Sequence, residues 1–140
     1  MAKTLRIPRP GNGRAPGLPS AQRKKRIDRE GPIHREILAH IRKRLPEAIA
    51  HHSPNAVGLS GYRIAKQLHL NEAMGTIKGW PDLTCILPGP VVLFFEVKAP
   101  GNYPDKDQKA LHEELRSLGA RVAVVRSCDD VDDLTAPEAP

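Results

Sequence analysis

Cysteine is nearly absent from this chain. Cys85 and Cys128 form no CxxC pair, and two thiols are too few for the disulfide-stapled scaffolds of small secreted proteins. Long apolar runs are missing as well. No stretch approaches the roughly 20 residues that a membrane-spanning helix needs. The basic N-terminus carries no apolar segment of the secretory kind. The expectation is an intracellular chain in a reducing, cytoplasmic setting with no membrane partner. Aromatic residues are scarce, at 4%. That argues against extensive base stacking and against an RNA-binding sheet built on rows of aromatic side chains.

What is present is charge, unevenly spread. The net charge over 140 residues is +6. Residues 1–29 hold nine Lys/Arg against the single acid Asp28, so +8 sits there and the remainder carries −2. The high isoelectric point therefore belongs to an N-terminal arm, which includes the run Arg23, Lys24, Lys25 and Arg26. Such an arm suits a polyanion, or serves only as a solubilising tail. It is rich in Pro, Gly and Arg without apolar periodicity, and it is expected to be disordered until bound.

From Glu30 the pattern changes. Pro32 suits the first turn of a helix. Ile33, Ile37, Leu38, Ile41 and Leu45 then recur at helical spacing up to Pro46. A short extended piece and a turn-rich loop follow in AIAHHSPNAVGLSG, and Tyr62–Leu70 suits a second short helix. DLTCILP and VVLFFEV read as strands joined by the turn Pro88–Gly89–Pro90, an antiparallel hairpin. Asp105–Leu118 reads as a helix with Leu111, Leu115 and Leu118 inward and Gly119 as its stop. RVAVVRS is a last, buried strand, and the acidic end holds at most one helical turn before it frays. The order helix, strand, strand, strand, helix, strand gives an α/β class fold: a mixed sheet flanked by helices, with a right-handed crossover after VVLFFEV. One domain over residues 30–134 is expected, with a flexible tail at 135–140.

The chemistry concentrates at the end of VVLFFEVK. Strand side chains alternate, so Glu96 and Lys98 share a face while Val97 points away. Alone, the pair reads as a strand-end ion pair. Asp82, in Gly79-Trp80-Pro81-Asp82, starts the preceding strand, and the hairpin brings it beside the end of the next. Two neighbouring carboxylates repel each other. A divalent cation such as Mg²⁺ relieves that repulsion, using one or two carboxylates plus waters and substrate phosphate. Lys98 is then placed to position or deprotonate a water, or to stabilise developing negative charge.

These residues resemble the signature of the PD-(D/E)xK nuclease superfamily, and in particular its VRR-NUC branch. GWPDL, FFEVKAPG, a downstream Gln108 in DKDQKALHEEL and the closing RVAVVRSCDDV carry the resemblance, which spans roughly residues 30–134. It implies a restriction-endonuclease-like αβββαβ core. It implies Asp82 and Glu96 as metal ligands with the backbone carbonyl of Val97, Lys98 as the catalytic lysine, and Gln108 as the residue that orients the site. An acid near the start of the upstream helix completes the cluster: Glu30, or else Glu36. The Gln usual in the family four residues after that acid is His34 here. The resemblance also implies Mg²⁺ or Mn²⁺ as cofactor, DNA as partner, selectivity for branched or junction DNA (a Holliday junction among them), and a homodimer.

Other features carry less. Lys78 lies next to the site, and Lys106 and Lys109 flank Gln108; each contacts DNA phosphate or simply faces water. The six histidines match no zinc spacing. Trp80 is expected to pack rather than to stack on a base. A non-catalytic DNA-binding module with this fold, or an RNA-directed nuclease, are the competing readings.

Overall fold

The computed structural model describes residues 27–54 and 62–137. The basic run Arg23–Arg26 lies outside the described residues, as does most of the arm. The elements are α1 (Glu30–Arg44), β1 (Ile49–His52), α2 (Tyr62–Ala73), β2 (Leu83–Leu87), β3 (Val91–Val97), α3 (Lys106–Ser117), β4 (Arg121–Val125) and α4 (Cys128–Thr135). One four-stranded sheet runs in the order β1-β2-β3-β4. The β1/β2 and β2/β3 pairs are antiparallel, and β3/β4 is parallel. The expected mixed sheet is therefore present, with its hairpin and its crossover through α3.

The hairpin follows from local chemistry. β-branched and aromatic side chains fill β3, and the Pro-flanked turn puts Gly89 at φ +109, where an L side chain is strained. Leu87 pairs with Val91 and Leu83 with Phe95. One step further along that register sets Asp82 opposite Glu96.

Strand alternation divides the interior in two. Leu83, Cys85, Leu93, Phe95, Val97 and Val125 meet Ile37 and Ile41 of α1 and Val131 of α4. On the other face, Phe94 and Val122 meet Leu111 and Leu115 of α3, with Trp80 against them. Trp80 packs edge-on to Phe94, with ring centroids 5.5 Å apart. Each fully buried Ile, Leu or Phe stabilises this sandwich by about 1.5–3 kcal/mol. Cys85 belongs to the core, and burial pushes its thiol up to about 11, so it acts as a small apolar side chain.

Three local expectations need correcting. Leu118 does not join the buried stripe of α3. It caps the helix and is 79% exposed, because the chain turns away at Gly119. His112 is buried in its place. α2 runs to Ala73, beyond Leu70, yet contributes no buried residue. The acidic end forms an eight-residue helix, α4, in place of a single turn. Ser127 accepts the backbone N–H of Asp130, whose carboxylate in turn accepts the N–H of Ser127, a closed capping box. Asp132 of α4 then accepts from His40 (2.9 Å) and Arg44 (3.2 Å) of α1, tying the two helices together.

Candidate active site

The β2 start, the β3 end and the first turns of α1 and α3 converge at one end of the sheet. Glu96 lies in the last turn of the β3 pleat on the α3 side, with no solvent exposure. Its Oε1 accepts from Lys98 Nζ at 2.8 Å and from the Gln108 amide at 2.6 Å. Its Oε2 is buried with no hydrogen-bond partner; His112 Nε2, equally unpartnered, stands 3.6 Å away. Burial pushes the Glu96 carboxyl up to about 7. The Lys98 hydrogen bond and charge pull against that shift, and the charges of Asp82 and Glu30 add to it. Burial works to lower Lys98, but its hydrogen bond to Glu96 and the charges of Glu96, Glu30 and Asp82 outweigh it and raise the ammonium pKa. Burial, together with the charges of Arg116 and Lys98, lowers that of His112.

Asp82 is fixed from β3. Its Oδ2 accepts the backbone N–H of Val97 at 2.9 Å. Glu30, the first residue of α1, accepts from Asn102 Nδ2 (3.2 Å) and from the backbone N–H of Ala99 (3.4 Å). Glu30, Asp82 and Val97 line one cavity of about 500 Å³, with Asp28, His34 and His52 on its walls. The His34 and His52 rings meet edge to face, 4.6 Å apart. A ring nitrogen of His52 lies 3.1 Å from the carbonyl oxygen of Asp82. The predicted residues thus fall into two groups: Glu96, Lys98 and Gln108 bonded together on the α3 side, and Glu30 with Val97 on the α1 side. Asp82 adjoins both.

Gln108 is held by the helix it begins. Asp105 caps α3 and accepts the N–H of Gln108 (2.9 Å), while Gln108 Oε1 accepts the N–H of Asp105 (2.9 Å). This box commits the amide oxygen and leaves the amide nitrogen facing Glu96, so the orientation of the amide follows from the network. Gly79 completes the fit. Its φ is +81, and a Cβ there would lie 3.0 Å from the Gln108 backbone nitrogen. Glycine at this position lets the loop before β2 rest directly on the first turn of α3.

The lysines differ in their engagement. Lys78 is exposed and pairs with Asp107 Oδ2 at 2.6 Å, which spans the same loop-to-helix junction. Lys106 and Lys109 are exposed on α3. Glu36 is an exposed residue of α1, whereas Glu30 is the acid of that helix on the cavity with Asp82.

Two buried or half-buried carboxylates, Asp82 and Glu96, on adjacent strand ends, with one ammonium bonded to the second, form a hard-oxygen donor set. Such a set fits an ion of the Mg²⁺ class, which keeps several waters of its own. Among the described residues, no group of three or more His, Cys, Asp or Glu side chains is placed to hold a metal ion, Glu30, Asp82 and Glu96 included, so the fit rests on the two carboxylates alone.

His112 and Asp105 escaped the sequence reading. Each had a signal: His112 follows Gln108 by four and shares its helix face, and Asp-x-x-Gln is a capping-box pattern.

A mixed sheet whose antiparallel hairpin ends in Asp and Glu-x-Lys, flanked by helices on both faces, is a restriction-endonuclease-like nuclease fold. Two solved structures place the chain within that class. One, a VRR_NUC domain, shares 30% identity over 77% of this chain and 95% of its own, with a TM-score of 0.53. A second, a VRR_NUC domain protein, shares the fold at 19% identity, covering 79% and 87%, with a TM-score of 0.57. The chain belongs to the VRR-NUC family and has a nuclease-type domain. No family model and no curated protein matches it.

Proposed function

We propose that this chain is a Mg²⁺- or Mn²⁺-dependent nuclease that hydrolyses phosphodiester bonds in DNA, selecting branched or junction structures. The observation that carries the reading is the fully buried Glu96, bonded at once to Lys98 and Gln108 and set across the hairpin from Asp82. A strand-end ion pair made only for stability sits in water, where it contributes about 0–1 kcal/mol. Burying this carboxylate without exact pairing is costly, and chemistry is the reason to keep it.

Asp82 and Glu96 would hold the ion, with the Val97 carbonyl and, through water, Glu30. When bound, the ion supplies polarisation of the scissile phosphate and acidification of a water. The chain supplies the rest. Lys98 holds the attacking water or balances charge at the phosphoryl oxygens while water adds to phosphorus and the P–O ester bond breaks. Gln108 keeps Glu96 in place. The basic arm and Lys78, Lys106 and Lys109 add phosphate contacts. Cutting both strands of a junction calls for two sites, which a homodimer provides. A domain spanning residues 30–134 carries all of this, with residues 1–29 as its arm.

The test offers single-stranded, duplex, flapped and four-way-junction DNA, and RNA, to the purified chain with Mg²⁺, Mn²⁺ or EDTA. Metal-dependent cutting that falls about a hundredfold or more in Lys98→Ala is expected. Preference for RNA moves the substrate. Tight binding without cutting in any metal leaves a binding module.

A further inference from the structure

Lys98 and the cap of α3 are joined by a short loop, Ala99–Pro104, whose only large side chain is turned outward. Tyr103 is 74% exposed. Exposed aromatics are usually single and need no account, but this one is built in. Ala99-Pro100-Gly101-Asn102 closes a tight turn, with the Asn102 N–H donating to the Ala99 carbonyl (3.0 Å) and Gly101 at φ +84. Pro before a glycine of positive φ is the type II pattern. Three contacts then hold the turn. Arg29 donates to the Pro100 carbonyl (3.3 Å), Asn102 donates to Glu30 (3.2 Å), and Arg126 donates to the Asn102 carbonyl (2.7 Å). The Arg126 guanidinium also lies 5.2 Å from the centre of the Tyr103 ring, and Pro104 beside it is buried. The turn that carries the ring is thus fixed, and Tyr103 stands five positions after Lys98 and two before Asp105 with a cation against its ring. One of its anchors is the same Glu30 carboxylate that faces the cavity with Asp82.

We propose that Tyr103, backed by Arg126, is a stacking platform for an unpaired base of the substrate. It would give the site its preference for DNA with a single-stranded branch beside the cut. This rests on the nucleic-acid reading above. A base has a π-face that an ordered exposed ring accepts without regard to sequence, and a guanidinium adds to such a stack. Bases within a continuous duplex are already stacked and have no face to offer. The platform therefore discriminates by structure and not by sequence.

The experiment uses the full chain in Ca²⁺ buffer with oligonucleotides carrying 2-aminopurine at one unpaired position of a flap, beside a matched continuous duplex. Binding is read by anisotropy and stacking by quenching of the 2-aminopurine emission. Wild type is expected to quench the flap probe. Tyr103→Ala is expected to lose that quenching and to bind the flap about tenfold more weakly, with duplex affinity changed less than twofold; Tyr103→Phe is expected to retain both. Equal weakening on flap and duplex, or unchanged quenching in Tyr103→Ala, overturns the platform while leaving the nuclease reading intact. No binding to any DNA by wild type overturns both.

Discussion

Gln108 serves two structures with one side chain. Its carbonyl oxygen closes the cap of α3, and its amide nitrogen reaches Glu96. A glutamate at this position still completes a capping box, but it brings a second carboxylate against the first. Gln108→Glu is therefore expected to keep the cap yet melt below wild type, because the buried carboxylate loses a donor and meets a like charge, while activity falls about 10- to 100-fold, the usual cost of disturbing a residue behind a metal ligand. Thermal melting and initial rates on one substrate separate the two effects. Asp82 gives a complementary test. If Asp82 and Glu96 hold an ion, Mn²⁺ at about a hundred times its dissociation constant adds about 2.7 kcal/mol of stability. Asp82→Asn should abolish that increment, as read by melting with and without metal.

Among elements, the contact between the loop before β2 and the first turn of α3 is the most demanding. Gly79→Ala meets both a left-handed backbone and the Gln108 main chain. A loss of about 2 kcal/mol or more is expected in urea unfolding, with lower activity because Gln108 moves. The α1–α4 clasp is gentler. The hydrogen bond from His40, reinforced by Arg44, holds the Asp132 carboxyl below its ordinary value. An acid depressed on folding contributes stability above its unfolded pKa and loses it as pH falls through the folded one. The melting gap between wild type and Asp132→Asn should therefore be open at pH 7 and close below about pH 4. A gap independent of pH would sink this account.

Element types are largely legible in the sequence. β3 shows as an unbroken β-branched and aromatic run, its turn as Pro-Gly-Pro, and α1 as a stripe at 3.6 spacing. α4 was hidden because acids surround Val131 and Leu134, and its start depends on a reciprocal cap more than on hydrophobicity. Leu118 misled because spacing alone extends a stripe past the residue where a helix stops. Within the site, alternation and the hairpin bring Asp82, Glu96 and Lys98 together from sequence. The bond from Gln108 to Glu96, the role of Gly79 and the burial of His112 depend on how α3 lies on the sheet, which periodicity does not specify.

For the molecule as a whole, charge is unevenly divided along the chain. Residues 1–26 carry eight Lys/Arg and no acid, while the remainder of the chain is slightly acidic. Binding through phosphates falls with salt at a slope of about 0.9 per phosphate neutralised on duplex DNA. Removing residues 1–26 should weaken DNA binding and flatten that slope, measured by anisotropy across a salt series. An unchanged slope would mean that the arm does not touch DNA. Among the described residues, no helix is long and apolar enough to cross a membrane.

The buried Glu96 has a consequence for heredity. A carboxyl that burial pushes up to about 7 weakens the very fold that surrounds it, even with Lys98 beside it. Mutation left to itself would discard such a group early. A chain that only bound DNA would have no use for such a group at this strand end, so keeping the acid there is what the proposed hydrolysis would require.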